Sequence, residues 1–393
     1  MFGQIGMRLV SAPTFMPAYL FALSGSEFVV GLTRAMQAAG TVVSPIIGAS
    51  TVGHRRKVLS ATLATAAMMR LQILGLALAG FFLGQRALLP AIIVFLTLMG
   101  FFQGMAQVTM NTLRARVIPV HRRGFVSGAR NFLAGFTSAG VSYLAGAYVL
   151  ENDLLGNGYG TVFLIAFGIA SCGLGALAMT RETETTAVRP RESARQALQA
   201  IPGLLRDNPE FAKFFIARAL GSFGRMALPF YILYAGTRME LTGTLLGILT
   251  TVWMITSSTS NLLWGLLADR CGYRIVMIAT LTIWMLSHVQ LLFVESLPGI
   301  IAFFVVMGIP SGGFNQSGQN MVLEFGSSED IPIRLAASGS SVNFVGAIGP
   351  LLGGLIVWAL SYPALFIITI GLQLAGLVIL VRWVPEPRRR TGH

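Results

Sequence analysis

Long apolar runs separated by short polar breaks dominate the chain, and runs such as IIAFFVVMGI at 300–309 and FIITIGLQLAGLVILVRW at 366–383 show no alternation of period two. Cutting at the polar breaks leaves twelve stretches, roughly 2–24, 27–50, 58–83, 88–113, 124–148, 160–180, 211–236, 241–264, 275–293, 297–322, 336–360 and 362–383. At 1.5 Å per residue, a helix of about 20 residues crosses a hydrocarbon layer of ~30 Å. Each stretch therefore predicts a transmembrane helix. A membrane β-barrel would instead show segments of ~10 residues with alternating hydrophobicity. Composition sharpens the picture: with 54% hydrophobic and only 11% charged residues, the chain has too little charge to cover a water-soluble surface. The fold expected is an all-α integral membrane protein, which excludes soluble enzymes.

A net charge of +13 would suggest nucleic acid as the partner of a soluble domain, but its placement says otherwise. With a cytoplasmic amino terminus, twenty Lys and Arg residues fall in or beside inside segments and two, Arg86 and Arg238, in outside ones. That asymmetry obeys the positive-inside rule. It places both termini and the polar segment 181–210 in the cytoplasm and predicts a bacterial-type inner-membrane protein. No nucleic acid partner is expected, and the charge is mostly topology. The first apolar stretch lacks a charged leader and a small-residue cleavage pattern, so it is expected to remain as the first helix. Cys172 and Cys271 show no metal-type spacing, and neither a metal site nor a cofactor is expected.

The two halves resemble each other. Met99–Asn111 aligns with Met307–Gln319 at an offset of 208, so that Gly100 and Gly104 meet Gly308 and Gly312. The same offset brings Gln103, Gln107 and Asn111 onto Ser311, Asn315 and Gln319. An offset of 218 takes Arg70 and Gln72 to His288 and Gln290, and Arg56-Lys57-Val58 to Arg274-Ile275-Val276. Ser127-Gly128 and Asn131-Phe132 recur as Ser338-Gly339 and Asn343-Phe344. Four matches in the same order argue for duplicated six-helix halves. The expected layout is a bundle at 1–180, a cytoplasmic linker at 181–210, a second, pseudo-symmetric bundle at 211–384 and a tail at 385–393.

After the eighth span the chain reads Gly265-Leu-Leu-Ala-Asp269-Arg270-Cys-Gly272-Tyr-Arg274, the pattern G-x-x-x-D-R-x-G-x-R. In this loop, and in its duplicated twelve-span layout, the chain resembles the major facilitator superfamily of transporters over essentially its whole length. The resemblance implies secondary transport by alternating access, with Asp269 and Arg270 holding the cytoplasmic side shut in the outward-facing state. The corresponding first-half loop keeps its basic end at Arg55, Arg56 and Lys57 but has Thr51 in place of the Asp. Gly349-Pro350-Leu-Leu-Gly353-Gly354 in the eleventh span resembles an element that drug antiporters carry in their fifth, where this chain has no proline.

The same resemblance implies that spans 1, 4, 7 and 10 line a central cavity. Gln4, Arg8, Ser11, Phe15 and Tyr19 follow one another at helical spacings, which predicts one polar, cationic and aromatic face. Ser222, Arg225 and Pro229 repeat the theme in span 7, while Gln107, Asn111, Asn315 and Gln319 supply amides from spans 4 and 10. An arginine near the bilayer centre costs at least ~2.5–3.5 kcal/mol, so Arg8, Arg130 and Arg225 call for water, a partner or a ligand. Acids are scarce within the spans, Glu27 and Glu324 being the candidates and neither central. A positive cavity attracts a carboxylate, phosphate or sulfonate. The plainer reading of each arginine is an interhelical bond to a backbone carbonyl, and it is the preferred one for Arg34, Arg70 and Arg218.

For proton coupling the candidates are Glu324, at the inner end of span 10, and His288, whose peripheral span favours a structural role. The expected partners are a small-molecule substrate, the lipid bilayer and a coupling proton or other ion, with the protein a monomer. Two alternatives stay open: a polyspecific drug or lipid exporter, favoured by 17 Met and 26 Phe residues, and a transporter-like sensor or scaffold. No catalytic motif points to an enzyme.

Overall fold

The computed structural model describes residues 1–52, 55, 57–117, 120–180, 182, 202–325 and 331–386. Among these, every regular element is a helix. In the first half they are α1 (Phe2–Ser11), α2 (Phe15–Ser24), α3 (Glu27–Val52), α4 (Leu59–Phe82), α5 (Gln85–Val117), α6 (Val120–Leu144) and α7 (Gly158–Ala178). A π-helical turn, Ala145–Leu150, prolongs α6. The second half holds α8 (Pro209–Ser222), α9 (Gly224–Ala227), α10 (Phe230–Gly236), α11 (Gly243–Cys271), α12 (Tyr273–Leu292), α13 (Leu297–Leu323), α14 (Ile331–Ala359) and α15 (Tyr362–Trp383). These elements cover all twelve expected spans. Most of the segment 181–210 lies outside the described residues, although 202–207 are helical.

Nine of the described helices are long and apolar enough to cross a membrane. The other three spans fall short for visible reasons. The first is broken into α1 and α2: Ala12, forced out of the helical region by Pro13, sits at φ −54°, ψ 145°. The seventh is broken at Phe223 and again before Phe230, next to Pro229. The eighth, α11, is continuous but carries Thr256, Ser257, Ser258, Thr259, Ser260 and Asn261 in succession. A break recurs at a matching place in each half, next to Pro13 after Arg8 and next to Pro229 after Arg225.

The helices turn apolar side chains outward. Leu262, Leu263 and Leu266 on α11 and Ile367, Leu374, Val378 and Val381 on α15 are all exposed. Such surfaces suit hydrocarbon. Short polar side chains restart the chain at helix ends: Asn157, Ser296 and Ser361 each accept the N–H three residues on, at Gly160, Gly299 and Ala364. Serine and threonine hydroxyls inside the helices mostly donate to the carbonyl three or four residues back, as Thr33, Thr97 and Thr369 do.

The chain groups into two compact units, residues 1–191 with 231–251, and residues 192–230 with 252–393. In the first, the start of α11 lies against the π-helical turn. A Cβ on Gly146 would come 2.4 Å from the Gly243 carbonyl oxygen and 2.5 Å from Gly247 Cα, so this crossing needs bare glycine backbone. Glu151 closes the contact by accepting the Thr244 N–H at 2.7 Å, and Thr251 donates to the Ala139 carbonyl at 2.8 Å. A hydrogen bond between the Thr14 and Thr250 hydroxyls ties α2 to the same stretch. In the second unit, Phe211, Phe214, Phe314, Phe325, Trp284 and Leu380 form the buried core.

Gly146→Ala should force this crossing apart and cost roughly 1–3 kcal/mol, as overpacking does elsewhere. Gly140→Ala, where an added Cβ meets nothing within 4 Å, should be neutral. Melting temperatures of the two purified variants test this; equal values would show that the crossing is not tight.

Candidate functional site

Gln4, Arg8 and Ser11 share a face of α1, as their spacing predicts. Phe15 and Tyr19 do not continue it, because the break at Ala12 to Thr14 starts a new helix with its own register. Tyr19, expected beside Arg8, is 4% exposed and stacks on Tyr159 at a ring separation of 4.3 Å. The periodicity argument assumed an unbroken helix, and Pro13 removes that assumption.

What does gather near Arg8 is cationic and amide-rich. Asn131 Oδ1 on α6 accepts from Gln4 Nε2 at 3.1 Å and from Arg130 Nη2 at 3.2 Å. Arg130 is close enough to repel both Arg8 and Arg114. Arg114 donates to Asn111 Oδ1 at 3.4 Å, and Gln107 and Asn111 are exposed on α5. Three acids of this unit are committed elsewhere, Glu151 at Thr244, Asp153 at the Gly158 N–H and Glu182 at the start of α4. The first unit thus holds three arginines among amide side chains.

The second unit repeats the chemistry. Arg225 Nη2, on the short helix α9, donates to Asn315 Oδ1 of α13 at 2.7 Å, and Asn315 Nδ2 donates to the Ser311 carbonyl at 3.2 Å. Gln319, one turn further along α13, is exposed. An amide holds the guanidinium in place without neutralising it. Arg218, two turns before Arg225, is 2% exposed and donates to the Ser338 hydroxyl of α14. By contrast Arg70 donates to the carbonyls of Ala66 and Ala170, both at 2.7 Å, the plain interhelical role expected of it.

His288 is fully buried, with Nδ1 2.8 Å from the Trp284 carbonyl and its ring against Phe366. A carbonyl only accepts, so the Nδ1 proton is committed to this bond. Glu324 follows the last residue of α13 and is half-buried.

The loop carrying Gly265, Asp269, Arg270, Gly272 and Arg274 spans the end of α11 and the start of α12. Gly272 adopts φ +87°, a conformation that suits glycine, and a Cβ there would meet the Glu386 carboxylate at 2.8 Å. Arg274 Nη2 donates to the carbonyls of Leu380 and Val381, at 3.3 and 2.7 Å, near the end of α15. Asp269 and Arg270 are exposed and join no hydrogen bond or ion pair among the described residues.

Sequence reasoning missed two acids. Glu182 accepts the N–H groups of Val58, at 2.9 Å, and Leu59, at 2.8 Å, at the start of α4, and pairs with Arg116 at 3.3 Å. Arg116 in turn donates to the Arg55 carbonyl at 3.2 Å. Glu386 lies over Gly272 at the start of α12. Each follows the sixth span of its half within four residues and lies at the amino end of the third span, α4 or α12. A carboxylate at a helix amino end is favoured by the free amides and the dipole. The available signal was this repeated placement of a glutamate just past the last span of each half.

Comparison with known proteins gives a consistent result. The family model described as Major Facilitator Superfamily matches residues 2–234 and again 214–393. Among solved structures, a variant of the nucleoside transporter NupG superposes with a TM-score of 0.77 at 13% identity, covering 98% of each chain. A D-xylose-proton symporter gives a TM-score of 0.72 at 16% identity, covering 98% of this chain and 97% of the other. These identities speak for fold. A multidrug transporter protein, MdtP of Bacillus subtilis (strain 168), is 26% identical over 144 residues, 37% of this chain; the match spans only 26% of that relative's length.

Glu182→Gln should keep the shape but lose the charge facing two amides and Arg116. With the Glu182 side chain 2% exposed, a loss of about 1–3 kcal/mol is expected, read as a lower melting temperature. An unchanged value would reduce the contact to a surface ion pair.

Proposed function

The chain belongs to the major facilitator superfamily and is a multi-pass membrane transporter; from that premise we propose that it moves a small organic anion, or an amphipathic molecule bearing a negative group, by alternating access. The observation that carries this reading is the chemistry around the membrane-embedded arginines. Arg130 and Arg225 hydrogen-bond to the neutral amides of Asn131 and Asn315, which leaves their positive charge for a ligand. Water and buried amides alone compensate a guanidinium poorly, whereas a carboxylate or phosphate offers paired acceptor oxygens that match its fork. In this reading the anion-binding candidates are Arg8 and Arg130 with Gln107 and Asn111 in the first unit, and Arg225 with Asn315 and Gln319 in the second.

Proton coupling falls to Glu324 rather than His288, because His288 is sealed between Trp284 and Phe366. Asp269 and Arg270 act on the balance between states. The halves 1–180 and 211–384 are the moving bodies, with both termini and segment 181–210 on the cytoplasmic side of an inner membrane. The similar structures carry the names of transporters of a nucleoside and of D-xylose, so support for an anion comes from this chain's own arginines.

A second reading, efflux of varied drugs, is favoured by the partial likeness to MdtP. One screen separates the two: purified protein is heated with anionic metabolites and with amphipathic cations, since a bound substrate raises the melting temperature. Stabilisation by anions supports the first reading, and stabilisation by cations alone defeats it.

Two variants extend the test. Truncating one partner of a buried charged contact commonly costs ~2–5 kcal/mol, so Arg8→Ala and Arg225→Ala should weaken anion binding more than tenfold. Arg225→Lys keeps the charge but loses the fork and should also bind poorly. Folded variants with normal affinity would remove these residues from the site. Asp269→Asn should slow transport into proteoliposomes while leaving binding intact; lost binding with normal conformational balance would defeat its role.

A further inference from the structure

Arg218 is the most deeply buried cation of the second unit's polar cluster, and the mechanism above does not use it. It is 2% exposed, and among the described residues its one hydrogen bond goes to the neutral hydroxyl of Ser338 and its Nε finds no acceptor. Backbone presses on it from the other side, where a Cβ on Gly318 would come 2.5 Å from Nε. Arg225 reaches the same turn of α13: its Nη2 donates to Asn315 Oδ1, three residues before the Gly318 that Arg218 packs against. Neither arginine forms an ion pair among the described residues. A buried charge without a counter-charge is strongly unfavourable, and two of them side by side compound the cost. Among the described residues no carboxylate pairs with either arginine, and an anionic ligand would supply the missing charge.

We infer that Arg218 and Arg225, held by Ser338 and Asn315, form one site for an anion carrying two negative charges, with Arg218 the residue that selects two charges over one. This rests on the anion reading given above and deepens it. Arg225, partly exposed beside Asn315, meets the ligand first; Arg218 adds the second positive charge from behind. A monoanion neutralises only one of the two guanidiniums. A phosphate monoester or a dicarboxylate neutralises both.

The test uses the purified full chain and thermal stabilisation by glycerol phosphate and succinate, each with two charges, against lactate, with one. Wild-type protein should bind the dianions at least about tenfold more tightly than lactate. Glycerol phosphate should lose most of that advantage between about pH 7.5 and 5.5, because its second ionisation lies near pH 6. Arg218→Gln should abolish the preference, weakening the dianions at least about tenfold and lactate by clearly less. If Arg218→Gln does not fold, Arg218→Lys and Ser338→Ala take its place, each expected to reduce the preference several-fold. Equal binding of dianions and lactate by the wild type, or a preference that survives these substitutions, overturns the inference and leaves the anion reading standing. Stabilisation by neutral or cationic compounds with none by any anion overturns the anion reading itself.

Discussion

No water is available in hydrocarbon to pair with a backbone N–H or carbonyl, and nearly every feature of this chain follows from that. It is why the spans are helices, why their hydroxyl side chains bond back to their own backbone and why glycine crossings such as Gly146 on Gly243 and Gly247 can replace side-chain packing. It also makes a broken helix informative. The first and seventh spans break at Ala12 to Thr14 and at Leu228 to Pro229, so backbone groups there lose their regular partners. Such breaks are tolerated at membrane depth only where protein or a water-filled space covers them. Arg8 and Arg225 stand four to five residues before the prolines concerned, Pro13 and Pro229. The costliest side chains and the least regular backbone therefore occupy the same stretch in each half.

The duplication explains why the structure can be both rigid and divided. Each half closes on itself by the same device, a glutamate after its sixth span set against the amino end of its third. Glu182 does this with two backbone amides and Arg116, and Glu386 does it over Gly272 while Arg274 takes the carbonyls of Leu380 and Val381. The loop signature G-x-x-x-D-R-x-G-x-R thus serves two functions. Gly272 and Arg274 fasten the second half internally, while Asp269 and Arg270 are exposed, which suits the switching role proposed for them. The first half lacks the Asp yet keeps the glutamate, so the internal fastening is retained there.

The span pattern was legible from the sequence because hydrophobicity is the one property the bilayer demands everywhere: all twelve stretches correspond to helices, and the offsets of 208 and 218 anticipated the repeat. The neighbourhood of Arg225 was partly legible, since its partner Asn315 lies on one of the spans that the family resemblance places around the cavity. What failed was the reading of Tyr19, because a periodic pattern carries no sign of the break that Pro13 imposes, and the stacking on Tyr159 involves a residue 140 positions away. Glu182 and Glu386 escaped notice for a related reason. Glu182 accepts from backbone amides at a helix start and Glu386 lies over Gly272, and backbone leaves no mark in the side-chain sequence.

The choice of partner for each buried arginine separates structure from function more sharply than burial does. Arg70 is surrounded by two backbone carbonyls, groups whose partial negative charge is fixed by the helices, and it needs nothing further. Arg225 and Arg130 are given amide side chains, and Arg218 a hydroxyl. Those groups can rotate away or share their acceptor when an anion arrives, and none carries a formal charge that an anion would have to displace. A carboxylate in the same places would have made the resting protein more stable, but the same ion pair would then compete with every substrate molecule. On the proposed anion reading, leaving the guanidiniums underpaired raises the energy of the empty site and makes ligand binding correspondingly favourable, so the scarcity of acids in these helices would itself be part of the binding chemistry.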